Sequence, residues 1–169
     1  MINMKPNSTA TPNKPPKILL VCTGNTCRSP MAQAILKQLL LREGRADSFR
    51  ITSAGIAANI GNPMSPNARA ALKKLNIKPH AHKARQTDKR MLNSAKLVIT
   101  MTHAQKLTLV SQYTTKAAKP PKIFSIAELT DGHDIADPYG GNEEVYILTA
   151  LETKSKLEKI LSEVLLGEK

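Results

Sequence analysis

Two rhythms of apolar and polar positions run along this chain. Short apolar runs alternate with stretches whose apolar residues recur at helical spacing, the signature of a parallel sheet flanked by helices. The run Ile18-Leu19-Leu20-Val21 predicts a buried strand. A helix is predicted from about Pro30 to Arg42, with Met31, Ile35 and Leu39 on one face and Gly44 ending it. Pro30 suits a first helical position, where a missing N–H costs nothing. A second strand, Phe49 to Ser53, runs into Ala54-Gly55, and a helix from about Asn67 to Leu75 follows a loop with Gly61, Pro63 and Pro66. Beyond it lie a short helix near 88–93, a third strand over Leu97 to Met101 and a helix over about 104–112. A short fourth strand near 122–124 and a last helix from Glu143 to Leu165 complete the series.

Four short strands with intervening helices predict an α/β fold: a small, doubly wound, Rossmann-like domain with a four-stranded parallel sheet and helices on both faces. Ligands of such folds bind at the carboxyl ends of the strands, and the first strand-to-helix loop is a favoured phosphate site. Residues 1–16 are rich in Pro, Asn, Thr and Lys without periodicity and read as a flexible tail, leaving 17–169 as the single domain.

Composition narrows the classes. Hydrophobic residues make up 41% and charged residues 22% of the 169, so disorder as the overall state is not expected. No apolar run reaches the roughly 18 residues that span a bilayer, and the N-terminus has no apolar stretch resembling a signal-peptide core. The expectation is a cytoplasmic protein without membrane association. The two cysteines, Cys22 and Cys27, cannot build a disulfide framework or fill a zinc shell. No metal or other cofactor is expected, and close cysteines in a reducing compartment point to chemistry or redox control.

The net charge is +12 and unevenly spread. Nine basic residues and one acidic one, Asp88, lie between Arg69 and Lys96, whereas six acidic residues and no Lys or Arg lie between Glu128 and Glu144. A basic surface attracts phosphorylated proteins or nucleic acid. It is also the ordinary composition of a solubilising surface, so charge alone does not choose.

The chemistry is concentrated in Val21-Cys22-Thr23-Gly24-Asn25-Thr26-Cys27-Arg28-Ser29-Pro30. Loop amides followed directly by a helix N-terminus form an anion cradle. Gly24 and Asn25 are the residue types that tolerate the left-handed backbone needed to turn those amides inward. At the start of such a loop a thiol pKa is expected to fall from about 8.5 to roughly 3.5–7.5, leaving Cys22 a thiolate ready to attack. Six residues on, Arg28 offers a planar fork for two phosphoryl oxygens. Ser29 can donate to the thiolate and assist it as a leaving group. Oxidation of Cys22 to a sulfenic acid is expected to be trapped by Cys27 as an internal disulfide.

The leaving group needs a proton, and the acidic loop offers Asp131, Asp134 and Asp137. Asp137 differs from the others in preceding a proline, which biases it to an extended backbone.

The segment Val21–Pro30 resembles the phosphate loop of the low-molecular-weight protein tyrosine phosphatases, Val-Cys-x-Gly-Asn-x-Cys-Arg-Ser-Pro. The resemblance continues through Ser53-Ala54-Gly55, His82-Lys83-Ala84-Arg85-Gln86 and Asp137-Pro138-Tyr139, covering about residues 17–166. It implies catalysis through a phosphocysteine on Cys22, with Asp137 as general acid. It also implies a hydrogen-bonded network of Asn25, Ser29, Ser53 and His82 holding the loop in shape.

Two departures bear on the substrate. Members specific for phosphotyrosine carry a bulky aliphatic residue where this chain has Thr26, and two adjacent aromatics where it has Tyr139 followed by Gly140-Gly141. In both, and in Met101-Thr102-His103, the chain is more similar to the bacterial protein-arginine-phosphatase branch. Thr26 and Tyr139 are therefore the expected specificity positions. A polar guanidinium suits the Thr26 hydroxyl better than an apolar ring does. The implied partners are phosphorylated proteins, with a protein-arginine or tyrosine kinase acting in the opposite direction. Arsenate reductases share the loop but need further cysteines, and no Cys follows Cys27. No specific nucleic-acid binding is expected, because the basic stretch lacks interleaved aromatics and a recognition motif.

Overall fold

A computed structural model describes residues 14–113 and 121–167. Four strands, β1 (Lys17–Cys22), β2 (Arg50–Gly55), β3 (Leu97–Thr100) and β4 (Lys122–Ser125), form one parallel sheet in the order β2-β1-β3-β4. The order reverses direction between β1 and β3, so the crevice opens at the carboxyl end of β1, where Cys22 stands. All six residues of β1 are buried, as expected of a central parallel strand covered on both faces.

The period-2 geometry of β1 divides the core. Ile18, Leu20 and Cys22 pack on one side with residues of α1 (Arg28–Arg42), α2 (Pro66–Lys74) and α5 (Glu143–Ile160). Leu19 and Val21 pack on the other with Leu92 of α3 (Lys89–Asn93) and Leu109 of α4 (His103–Tyr113). Helices thus cover both faces of the sheet.

Helix starts follow capping chemistry. Ser65, Asp88 and Asn142 accept backbone N–H bonds at the starts of α2, α3 and α5. At α4 the Thr102 hydroxyl accepts from Gln105 N at 3.2 Å while Gln105 Oε1 accepts from Thr102 N at 3.0 Å, a reciprocal box. Gly44 follows α1 with φ +65°, the left-handed stop its position predicts.

Two expectations are corrected. Helix α1 begins at Arg28, two residues before Pro30, so the proline occupies the third helical position. Its missing N–H is harmless there too, because the first four amides of a helix lack intrahelical partners. The last helix holds α geometry only to Ile160 and closes in a π turn over Leu161–Leu165. Just before β1, the Pro16 carbonyl accepts from Arg50 N at 2.9 Å. Residues 1–13 of the expected tail and the domain's last two residues lie outside the described ones.

Candidate active site

Cys22 closes β1, and the loop to Arg28 turns around its sulfur. The Asn25 amide donates to Cys22 Sγ at 3.3 Å, and Ser29 Oγ lies 2.9 Å from it. Asn25 has φ 56°, a left-handed backbone that a short polar side chain tolerates. Gly24 does not adopt that conformation, so of the two residues expected to turn the loop only Asn25 does so. A glycine is instead demanded at Gly55, where β2 ends against the loop. A Cβ there would lie 2.4 Å from the Thr23 carbonyl and 3.0 Å from Asn25 N.

The side chains expected to support the loop come together around Asn25. Its Oδ1 accepts from Arg85 N at 2.9 Å, which fixes the amide so that Nδ2 faces Ser29 Oγ at 2.9 Å and Ser53 Oγ at 3.1 Å. Ser53 in turn donates to Gln33 Oε1 at 2.6 Å. With Ser29 Oγ accepting from Asn25, the Ser29 proton is free to point at the Cys22 sulfur or at the Ala54 carbonyl, 3.4 Å away. His82 lies 2.6 Å from the Asn25 carbonyl through Nε2, and because a carbonyl only accepts, that nitrogen carries the proton. Burial, aided by the Arg85 charge, lowers the His82 pKa against the opposing pull of that bond, so the ring stays neutral.

The expected depression of the Cys22 thiol meets a larger opposing effect. Complete burial pushes the thiol up, while hydrogen bonds from Ser29 and Asn25 and the charge of Arg28 pull it down by less. Part of the reason is where Arg28 points. Its Nη1 donates to the Ile135 carbonyl at 3.1 Å and its Nη2 to Asp137 Oδ2 at 3.0 Å.

Of the three acidic candidates, Asp137 is the one that lines the cleft. Asp131 is paired with the buried Lys156 of α5, which also donates to the His133 carbonyl at 2.9 Å and holds the Asp131 carboxyl below its usual range. Asp134 accepts from His103 N at 2.9 Å and fixes the start of α4. Ile135 N donates to the Met101 carbonyl at 3.0 Å, so the segment is pinned to β3 just before it reaches Arg28.

The cleft itself encloses about 390 Å³. Cys22, Thr23, Gly24, Thr26, Cys27 and Arg28 form its floor, with Asp137 and Tyr139 also lining it. Thr26 Oγ1 lies 3.6 Å from the Cys27 sulfur, and Tyr139 is 82% exposed at the mouth. Cys27 caps no helix amide; its sulfur lies 3.3 Å from the hydroxyl of buried Tyr146 and 3.5 Å from Ser65 Oγ. Burial first and Cys27 second push the Tyr146 phenol up to about 12, so it remains protonated.

Sequence reasoning missed several of these residues. Gln33 reaches across to Ser53 and the Ile51 carbonyl of β2, a pairing between elements that no local spacing announces. Arg85 and Gln86 lay inside a recognised motif without an assigned task. Asn59 and Asn62, which line the cleft from the loop after β2, carry no local signal at all.

The family model for low molecular weight phosphotyrosine protein phosphatases matches residues 17–167. A protein-arginine-phosphatase of Bacillus subtilis is 35% identical over 149 residues, covering 87% of this chain and 93% of its own length. Among solved structures, the YwlE arginine phosphatase, as a cysteine-to-serine mutant with a phosphorylated active-site serine, superposes with a TM-score of 0.81 at 32% identity, over 90% of this chain and 97% of that one. The low molecular weight protein tyrosine phosphatase of T. tengcongensis gives 0.80 at 38% identity, over 88% and 99%. Among the described residues, no helix is long and apolar enough to cross a membrane.

Proposed function

This chain belongs to the low molecular weight phosphotyrosine protein phosphatase family and is a protein phosphatase, and we propose that it hydrolyses phosphoarginine in proteins through a phosphocysteine at Cys22. The observation that carries the reading is that Cys22, Thr26, Arg28 and Asp137 line one cleft.

In the first step the Cys22 thiolate attacks phosphorus, forming the S–P bond as the P–N bond breaks. Asp137 gives its proton to the departing guanidine nitrogen. Arg28 and the loop amides hold the equatorial oxygens as charge redistributes, the electrostatic help that phosphoryl transfer needs. In the second step water attacks phosphorus, Asp137 takes its proton, and the S–P bond breaks. Ser29 then donates to the thiolate that leaves. The phosphorylated active-site serine of the YwlE mutant supports a covalent phosphoenzyme.

Two features favour arginine. Thr26 offers a hydroxyl oxygen next to the phosphoryl site, an acceptor that a guanidinium N–H can use and an aromatic ring cannot. The Bacillus subtilis relative is named as a protein-arginine-phosphatase. One observation favours phosphotyrosine as a second reading: the exposed ring of Tyr139 at the cleft mouth suits stacking on a phenyl group.

Phosphoarginine and phosphotyrosine peptides of identical flanking sequence, assayed side by side, decide between them. The expected result is a higher kcat/KM for phosphoarginine, loss of both activities in Cys22→Ser, and a shift of the ratio by roughly 10- to 100-fold toward phosphotyrosine in Thr26→Ile. Wild-type preference for phosphotyrosine overturns the arginine assignment. Residual Cys22→Ser turnover within about tenfold of wild type removes the phosphocysteine step.

A further inference from the structure

A guanidinium carries five N–H donors, and phosphorylation of one terminal nitrogen leaves about four. Each must find an acceptor in the cleft or lose its hydration without replacement. Phosphotyrosine brings no such demand, since its ring has no donor. The acceptor supply of the cleft is therefore a specificity problem distinct from phosphate binding.

Most lining side chains are already engaged. Thr23 Oγ1 accepts from Gln105 Nε2 at 3.1 Å, and the Thr26 hydroxyl, 3.6 Å from the Cys27 sulfur, already serves one guanidinium N–H in the phosphoarginine reading. Asp137 accepts from Arg28 on one oxygen and from Tyr139 N, at 3.2 Å, on the other. The Tyr139 hydroxyl belongs to a side chain standing largely in water. Asn59 and Asn62 remain. Both line the cleft, and neither side-chain amide has a hydrogen-bond partner among the described residues.

Their backbone is well held. Ala57 N donates to the Thr23 carbonyl at 3.0 Å, tying the start of the segment to the phosphate loop. Ala58 N donates to Gln86 Oε1 at 2.8 Å. Gly61 N donates to the Ala84 carbonyl at 2.9 Å, Ala84 N to the Asn62 carbonyl at 2.7 Å, and Asn62 N to the Asn59 carbonyl at 3.2 Å. A pinned loop presents two free amides to the cleft, which limits the entropy lost when they bind.

We propose that Asn59 and Asn62 are specificity-determining residues whose amide oxygens accept guanidinium N–H groups of the substrate. This rests on the phosphoarginine reading and adds to it a second wall of recognition beyond Thr26 and Asp137.

The test uses the full chain and the same matched peptides. Asn59→Ala, Asn62→Ala and the near-isosteric Asn62→Leu are assayed on both, with thermal melting as a check on folding. Both side chains are exposed, so truncation opens no core. The expected result is a fall in phosphoarginine kcat/KM of about 10-fold for each single variant and about 100-fold for the double alanine variant, with phosphotyrosine kcat/KM within about threefold of wild type. Parallel losses on both substrates, or no loss on either, overturn the inference while leaving the parent reading intact. A wild-type protein that hydrolyses phosphotyrosine and not phosphoarginine overturns both.

Discussion

Arg28 and Asp137 are joined by a 3.0 Å ion pair across the cleft, with the Arg28 side chain 6% exposed and the Asp137 side chain 53% exposed. The asymmetry gives the pair a direction. Arg28 is fixed by burial and by its bond to the Ile135 carbonyl, whereas Asp137 has room to turn. An incoming phosphoryl group offers the same guanidinium a more highly charged bidentate partner. On the proposed mechanism, substrate binding releases the Asp137 carboxylate from Arg28, which lets it take up a proton from water and turn toward the leaving group, so that one contact couples arming of the acid to occupancy of the cradle.

On this mechanism Asp137→Asn keeps a hydrogen-bond acceptor for Arg28 and loses the proton. Turnover of substrates with poor leaving groups should fall by about 10²–10⁴-fold, and nitrophenyl phosphate, whose leaving group needs little protonation, should suffer far less. A series of aryl phosphates of graded leaving-group pKa measures this. Equal losses across the series would show that Asp137 only positions Arg28.

Ser29→Ala removes the closest donor to Cys22 Sγ. The thiol, already raised by burial, should rise further, because a hydrogen bond that favours the thiolate is lost. Iodoacetate alkylation of Cys22 against pH reads this directly, as a profile displaced to higher pH. Loss of the same donor also weakens the thiolate as a leaving group, so pre-steady-state assays should show a burst of product ahead of slow turnover. An unmoved alkylation profile would place the Ser29 proton on the Ala54 carbonyl instead.

Peroxide is expected to convert the Cys22 thiolate to a sulfenic acid, whose condensation with the Cys27 thiol would expel water and form an S–S bond. Treated protein should lose two protons in mass and recover activity with a thiol reductant. Cys27→Ser should instead be inactivated without recovery, as sulfinic and sulfonic acids accumulate. Because the Cys27 sulfur is held beside Tyr146, Tyr146→Phe should alter the rate of disulfide formation without altering phosphatase activity. Equal recovery in wild type and Cys27→Ser would discard the switch.

His80 supplies a pH dependence of stability. Burial, followed by the positive neighbours Lys37, His82 and Arg69, lowers its pKa from 6.5 to about 4, and its two ring nitrogens are buried without partners among the described residues. The sign follows from linkage: the unfolded chain takes up the proton first. This contribution is complete above pH 6.5 and is lost progressively as pH falls toward about 4. Urea midpoints should drop between pH 7.5 and 4.5 in wild type, and His80→Leu should flatten that slope while the neighbouring His82 retains part of it. An identical slope in the variant would assign the acid sensitivity elsewhere.

How much of this was legible beforehand depended on sequence distance. Cys22 and Arg28 lie in one short loop between a buried strand and a helix, so local pattern alone placed nucleophile, cradle and guanidinium together. The four parallel strands and the helices on both faces followed from the same periodicity, whereas the strand order β2-β1-β3-β4 came from the structure. Asp137 is different, since 109 residues separate it from Arg28, and only its following proline and the family resemblance singled it out among three aspartates of one loop. The pairing of Ile135 with Met101 and of Lys156 with Asp131 gives the physical reason that Asp137 is the carboxylate that reaches the cleft.

The sequence by itself determined the parallel α/β sheet, the phosphate loop at its first strand and the residue types required for phosphocysteine chemistry, because each is encoded in spacings of a few residues. Tertiary structure alone decided that Asn25 rather than Gly24 carries the left-handed turn, that burial raises the Cys22 thiol against its donors, and that Asn59 and Asn62 face the cleft uncommitted. The physical reason is common to all three. Burial, desolvation and hydrogen-bond saturation are properties of what a group meets after the chain has closed, and no local periodicity specifies them.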